Sequence, residues 1–310
     1  MALTLNKVSK RLGDKWVLRD IDLSINDGEI VGIFGASGSG KSTLLKIIAG
    51  EEKPSSGEVQ MNDTVHLAAR RTRSGIGAIF GSGGSMSEGE TAAALLDEAL
   101  ASNARVLLVD RLFTLLDQVQ REYYVERFRE AAKTGKTVII ASADLKVTAL
   151  LCDRIVVLAG SYIAQVGFVQ EVYENPATRA VAEIAGRNNL FVARRLTSTN
   201  AELPEFQTIY GEHHLTARST EKAALGALNK NVTLAVRPEH ISISFEAAFP
   251  EDNIIKAVVT GIRFTGHTTI VSLDAGGLHL ESRVFRVVGL NVGEQCMIAI
   301  PPHRIQVLKD

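Results

Sequence analysis

Two cysteines, Cys152 and Cys296, are too few for a disulfide framework or a four-ligand zinc site. Both lie among apolar residues, so buried structural thiols are expected. Aromatic residues are 5% of the chain, with one tryptophan, Trp16, which argues against a stacking platform for single-stranded nucleic acid. Neither sign of charge dominates: 34 Lys+Arg stand against 35 Asp+Glu, a formal net charge of −1, so no global field recruits nucleic acid or an anionic surface. No stretch approaches the ~18 consecutive apolar residues of a membrane-spanning helix. The opening MALTLNKVSKRLG has no apolar block followed by a small-residue cleavage site, so a cytoplasmic protein is expected. His66, His213, His214, His240, His267, His279 and His303 show no metal-ligand spacing, and the adjacent pair His213-His214 would diverge on a strand.

What is present is ample apolar mass: 45% hydrophobic residues over 310 positions, enough for two domains. Up to about residue 190, short apolar strands alternate with helical patterns. Strands are expected at Val17–Ile25, Glu29–Phe34, Ile76–Phe80, Val106–Asp110, Thr137–Ser142 and Ile155–Leu158. Helices are expected at Lys41–Ala49, Gly89–Ser102 and Val119–Lys133. That alternation predicts an α/β domain with a mainly parallel sheet. The polar stretch 191–231 reads as a linker and the start of a β-domain. From residue 232 to 310 only short strands separated by Gly and Asn turns follow, as in a small all-β barrel.

Gly35-Ala36-Ser37-Gly38-Ser39-Gly40-Lys41-Ser42-Thr43 carries the spacing G-x-x-x-x-G-K-S/T between a predicted strand and a predicted helix. Glycines let the backbone wrap a phosphate chain with its amides pointing inward. The helix N-terminus aims its dipole at the same anion. Lys41 supplies a point charge for the β- and γ-phosphates, and Ser42 a hydroxyl for Mg²⁺. Val106-Leu107-Leu108-Val109-Asp110 is an apolar strand ending in a carboxylate, suited to the other side of that metal. An ordinary strand ending in a helix-capping Asp is the alternative.

The order of motifs resembles an ATP-binding cassette (ABC) subunit. The matching stretches include Val8-Ser9-Lys10, Asp27-Gly28-Glu29, the phosphate loop, Pro54-Ser55-Ser56-Gly57-Glu58, Val106–Asp117, Asp153-Arg154-Ile155 and Glu171-Val172-Tyr173-Glu174-Asn175-Pro176. In the tail, Val236-Arg237-Pro238-Glu239-His240 resembles the opening of the TOBE domain in importers of sugars, glycerol phosphate, polyamines and oxyanions. The resemblance implies an α/β P-loop NTPase domain followed by an OB-like TOBE barrel. It further implies ATP and Mg²⁺ as cofactors, a second ATPase subunit or a second copy as partner, and permease subunits at the inner face of the plasma membrane.

Departures from the family pattern reshape that expectation. The family's catalytic Glu, which orients or deprotonates the attacking water, is replaced by Arg111 and its γ-phosphate His by Ala143. Gly81 follows Phe80 where the family has Gln. The signature loop, Leu-Ser-Gly-Gly-Gln in the family, aligns with Met86-Ser87-Glu88-Gly89-Glu90. Ser87 and Gly89 persist for a partner's nucleotide, while two carboxylates should repel it. Asp117 keeps the carboxylate of the dimer-contact loop. Leu12 replaces the adenine-stacking aromatic, with Trp16 read either as its substitute or as a largely buried structural residue. The short interval from Ser42 to Ser87 implies a reduced helical subdomain. The expected function is a catalytically impaired ATP-binding subunit of an importer, paired with an intact ATPase. A stand-alone nucleotide-binding regulator is the alternative.

Overall fold

The computed structural model describes residues 1–70, 86–198, 203–217, 225–244, 252–287 and 289–308. The chain divides into two compact units, Met1–Glu174 and Asn175–Asp310.

The first unit contains β1 (Leu3–Leu12), β2 (Lys15–Ile25), β3 (Ile30–Phe34), α1 (Lys41–Ile48), β4 (Ser56–Gln60), β5 (Val65–Ala69), α2 (Glu88–Ala101), β6 (Val106–Asp110), α3 (Gln118–Lys133), β7 (Thr137–Ser142), α4 (Leu145–Leu151), β8 (Arg154–Ala159), β9 (Tyr162–Phe168) and α5 (Val169–Glu174). Six strands form one sheet in the order β5-β6-β7-β3-β8-β9, parallel except for β9. β3, β6 and β7 are buried along nearly their whole length, which explains their unbroken Val, Ile and Leu runs. A three-stranded antiparallel sheet, β2-β1-β4, shares a core with it. Leu3, Leu5, Val8, Ile21 and Leu23 pack with Val31 and Ile33 of β3 and with Leu44 and Leu45 of α1.

Some features differ from the sequence reading, and one expectation lies outside the described residues. β1 was not anticipated. The strand beside β6 is β5, whereas the expected strand Ile76–Phe80, with Gly81 after it, lies outside the described residues. Trp16 is half-buried on β2 rather than largely buried.

The second unit holds α6 (Arg179–Ile184) and ten strands: β10 (Asn189–Arg195), β11 (Glu205–Thr208), β12 (His214–Thr216), β13 (Asn231–Val236), β14 (Ser242–Ser244), β15 (Asn253–Phe264), β16 (Thr269–Ala275), β17 (Leu278–Val284), β18 (Gln295–Ile300) and β19 (Gln306–Leu308). They build two five-stranded antiparallel sheets, β12-β11-β10-β13-β19 and β14-β18-β15-β16-β17. Residues of both sheets, among them Phe206, Leu234, Val271, Leu280 and Ile298, form one core. The division between units falls ahead of residue 190 because α6 packs Ala182 against Ala235 and Leu308 of the β-structure. Within the stretch read as a linker and the start of a β-domain, β11 and β12 continue the sheet begun by β10. Both cysteines are buried, and burial pushes both thiols up, with the Asp153 carboxylate adding to the effect at Cys152.

Candidate functional site

The loop between β3 and α1 is built as a cradle. Gly40 takes φ 97°, a left-handed conformation that turns the chain into α1, and its absent Cβ leaves room for Val17 and Leu18 of β2. The amide of Leu44 bonds the Gly40 carbonyl at 2.9 Å and starts the helix. Ser87, Asp117, Asp144 and Thr178 cap α2, α3, α4 and α6 with their side chains. α1 has no side-chain cap and no acidic residue in its first turn. Its leading amides and positive dipole end therefore stay available to an anion.

Lys41 is buried, and its ammonium donates to the carbonyls of Gly35 and Ala36, each at 2.7 Å, and to the Ser39 hydroxyl at 3.3 Å. Burial pushes its pKa down, the Arg111 guanidinium pushes the same way, and the Asp110 carboxylate opposes both; the net shift is downward. The loop surrounds the ammonium, Ser37 and Gly38 lie exposed at the rim, and Ser42 and Thr43 are half-buried on the first turn. Ser42 donates its hydroxyl to Asp110 Oδ1 at 3.0 Å, so the structure brings the end of β6 against the start of α1. Both groups are hard oxygen donors, a set that suits Mg²⁺ when phosphate oxygens and waters complete its shell. Among the described residues no three His, Cys, Asp or Glu side chains gather to hold a metal by themselves, so any metal here would need a ligand's oxygens.

Arg111 follows with a left-handed backbone, φ 58°, fixed by its amide on the Ala141 carbonyl at 3.0 Å and by Thr114 Oγ1 on its own carbonyl at 2.8 Å. Its Nε stands 3.7 Å from Asp110 Oδ1. Ala143 is exposed, between buried Ser142 and Asp144, which caps α4. Neither position carries a side chain that can take a proton from water at neutral pH.

Ser87 and Gly89 are placed elsewhere. The Ser87 hydroxyl accepts from the Glu90 amide at 3.1 Å, and the Glu90 carboxylate accepts from the Ser87 amide at 2.7 Å, a reciprocal cap on α2. Gly89 lies under Leu115, whose carbonyl would sit 3.3 Å from an added Cβ. Among the described residues no hydrogen bond or ion pair joins Ser87 or Gly89 to the phosphate loop. Glu88 pairs with Arg70 at 2.9 Å, which the sequence reading missed because Arg70 belongs to no motif. It also missed the surroundings of Trp16: the guanidiniums of Arg11 and Arg19 lie 5.0 and 5.9 Å from its ring centroid, while Leu12 is 55% exposed.

The ABC transporter family pattern matches residues 18–82, and the TOBE domain pattern matches residues 234–308. The chain resembles ABC transporter ATP-binding subunits that carry a C-terminal TOBE domain. The maltose/maltodextrin import ATP-binding protein MalK of Mannheimia succiniciproducens is 26% identical over 362 aligned positions, covering 99% of this chain and 95% of that protein. The spermidine/putrescine import ATP-binding protein PotA of Methylococcus capsulatus is 28% identical, covering 90% of this chain and 84% of that one. A crystal structure of a nucleotide-free ATP-binding cassette from an ABC transporter superposes with TM-score 0.51 at 18% identity, covering 60% of this chain and 99% of that chain, a likeness of fold. The alignment with the first relative has 362 positions against 310 residues here, so at least 52 of them face no residue of this chain.

Proposed function

We propose that this chain is the ATP-binding subunit of an importer of the ABC family that holds ATP but hydrolyses it slowly, working beside an intact ATPase subunit. The phosphate loop, with Gly35, Ser37, Gly38, Ser39, Gly40, Lys41, Ser42 and Thr43, would hold the triphosphate. Ser42 and Asp110 would hold Mg²⁺, which when bound would neutralise charge on the β- and γ-phosphates. Ser87 and Gly89 would face the nucleotide of the partner ATPase, where Glu88 and Glu90 weaken the fit.

The observation that carries the reading is the pairing of a complete phosphate cradle with Arg111, not a carboxylate, beside Asp110. The import names of the relatives support the transport setting. No helix among the described residues is long and apolar enough to cross a membrane, so attachment to the inner face of the plasma membrane would come through permease subunits.

A second reading, a nucleotide-binding regulator without a permease, draws on the shortened alignment, since lost positions remove surface that a membrane subunit could grip. Co-purification from membranes separates the two. Capture of a permease and a second ATPase supports the importer subunit, and recovery of the chain alone from solubilised membranes overturns it. In parallel, ATP binding lost in Lys41→Ala supports the nucleotide site, and equal binding by both forms overturns it.

A further inference from the structure

We propose that Arg111 supplies at the phosphate site part of the positive charge that a divalent cation would bring, so that the site takes a nucleotide triphosphate whether or not Mg²⁺ is held at Ser42 and Asp110. The inference rests on the nucleotide reading above and concerns what that site requires.

The charged groups that act on one another here are Lys41, Asp110 and Arg111. Lys41 and Arg111 are cationic and Asp110 is anionic, so the cluster is already positive by one unit with no metal. An anion entering it meets net attraction before any metal arrives. The guanidinium is placed to act. Its backbone is pinned at both its amide and its carbonyl, and the left-handed turn starts the side chain beside the end of β6. The side chain remains 58% exposed, and among the described residues it makes no hydrogen bond to protein, only the 3.7 Å ion pair with Asp110. Its donors are therefore left for phosphate oxygens, the anion that a planar guanidinium binds in bidentate fashion.

The same placement lowers the demand for a metal. Asp110 Oδ1 already receives the Ser42 hydroxyl and faces the guanidinium, so part of the charge that would draw Mg²⁺ is balanced. A dication bound to that carboxylate would sit near a fixed cation and be repelled by it. Replacing Arg111 by Glu changes the local charge by two units, the charge of one Mg²⁺, and turns the cluster negative.

The experiment is a titration of a fluorescent ATP analogue into the full chain, in excess Mg²⁺ and in excess EDTA, for wild type, Arg111→Glu, Arg111→Gly and Lys41→Ala. Wild type should bind within about threefold in the two buffers. Arg111→Glu should lose about tenfold or more in EDTA and recover with Mg²⁺, the size of one modest charge interaction. Arg111→Gly suits the left-handed backbone and should fall between them. Wild-type binding that drops more than about tenfold in EDTA overturns the inference and leaves the nucleotide site standing. Arg111→Glu binding unchanged in EDTA overturns it as well. No binding by wild type in either buffer, matched by Lys41→Ala, overturns the nucleotide reading and this inference with it. The comparison of buffers on wild type needs no variant to fold.

Discussion

Ser42 and Asp110 share a hydrogen bond of 3.0 Å across 68 residues of chain. It joins the first turn of α1 to the last residue of β6 and so couples the loop that follows β3 to a strand two places away in the sheet. A bond from a hydroxyl to a partly buried carboxylate contributes about 1–2 kcal/mol. Ser42→Ala and Asp110→Asn should each lower stability in urea unfolding. A double-mutant cycle should return a coupling of about 1 kcal/mol. A coupling near zero would mean that the two side chains do not meet in solution.

On the proposed reading, supplying a base and an imidazole should raise turnover. Wild type is expected to release phosphate from ATP no faster than Lys41→Ala. The double variant Arg111→Glu, Ala143→His puts a base beside Asp110 and an imidazole on the exposed turn before α4. General-base catalysis contributes roughly 10²–10⁴ in rate, so a gain of at least about 10² is expected with Mg²⁺ present. Wild-type turnover that depends on Lys41 and matches ordinary enzymes at about 1 s⁻¹ or more would contradict the reading.

The cradle should tolerate alanine at one glycine better than at the other. Gly38 (φ 80°) has open space where a Cβ would go. A Cβ at Gly40 (φ 97°) would sit 2.8 Å from both Leu18 Cδ2 and the Val17 carbonyl oxygen. Gly38→Ala should cost about 1–2 kcal/mol from backbone strain alone. Gly40→Ala adds overpacking and should cost roughly 2–4 kcal/mol with loss of nucleotide binding. Thermal melts of the two variants side by side check the order.

Glu29 ties the start of β3 to β8. Arg154 donates to its carboxylate through Nε at 2.6 Å and Nη2 at 2.9 Å, and the Asn26 amide adds a third bond at 3.0 Å. Burial pushes the carboxyl up, but the Arg154 hydrogen bonds, the Asn26 amide and the Arg154 charge outweigh it, so the folded pKa lies below the ordinary 4.5. A depressed carboxylate adds stability above its unfolded pKa and loses it as pH falls through the folded value. Glu29→Gln should therefore be less stable than wild type by about 1–3 kcal/mol at pH 7. The gap should close as pH drops below the ordinary value of 4.5. A gap that stays constant down to pH ~3 would refute the assignment.

Several parts of the site could be read locally because their residues are contiguous or end a strand. The phosphate loop, Lys41, Ser42 and the strand ending at Asp110 were visible in spacing and hydrophobicity alone. β1 was not, because its alternation breaks: the register shifts between Leu5 and Val8, and Lys7 takes φ 48°, so Leu3, Leu5 and Val8 share a face without an even period. β11 and β12, with four and three residues, are too short for a period to register.

By itself the sequence determined the chemistry on offer: a glycine-rich loop with a lysine and a hydroxyl, and a strand-end carboxylate; only the resemblance to the ABC family marks Arg111 and Ala143 as standing where that family has a base and an imidazole. Those are properties of residue type and spacing, and they survive any packing. Tertiary structure alone decided which groups meet. Strand pairing set β5 beside β6 and brought Asp110 to Ser42. Such contacts join residues far apart in the chain, and their partners are chosen by shape and burial across the whole fold, which no local window of residues contains.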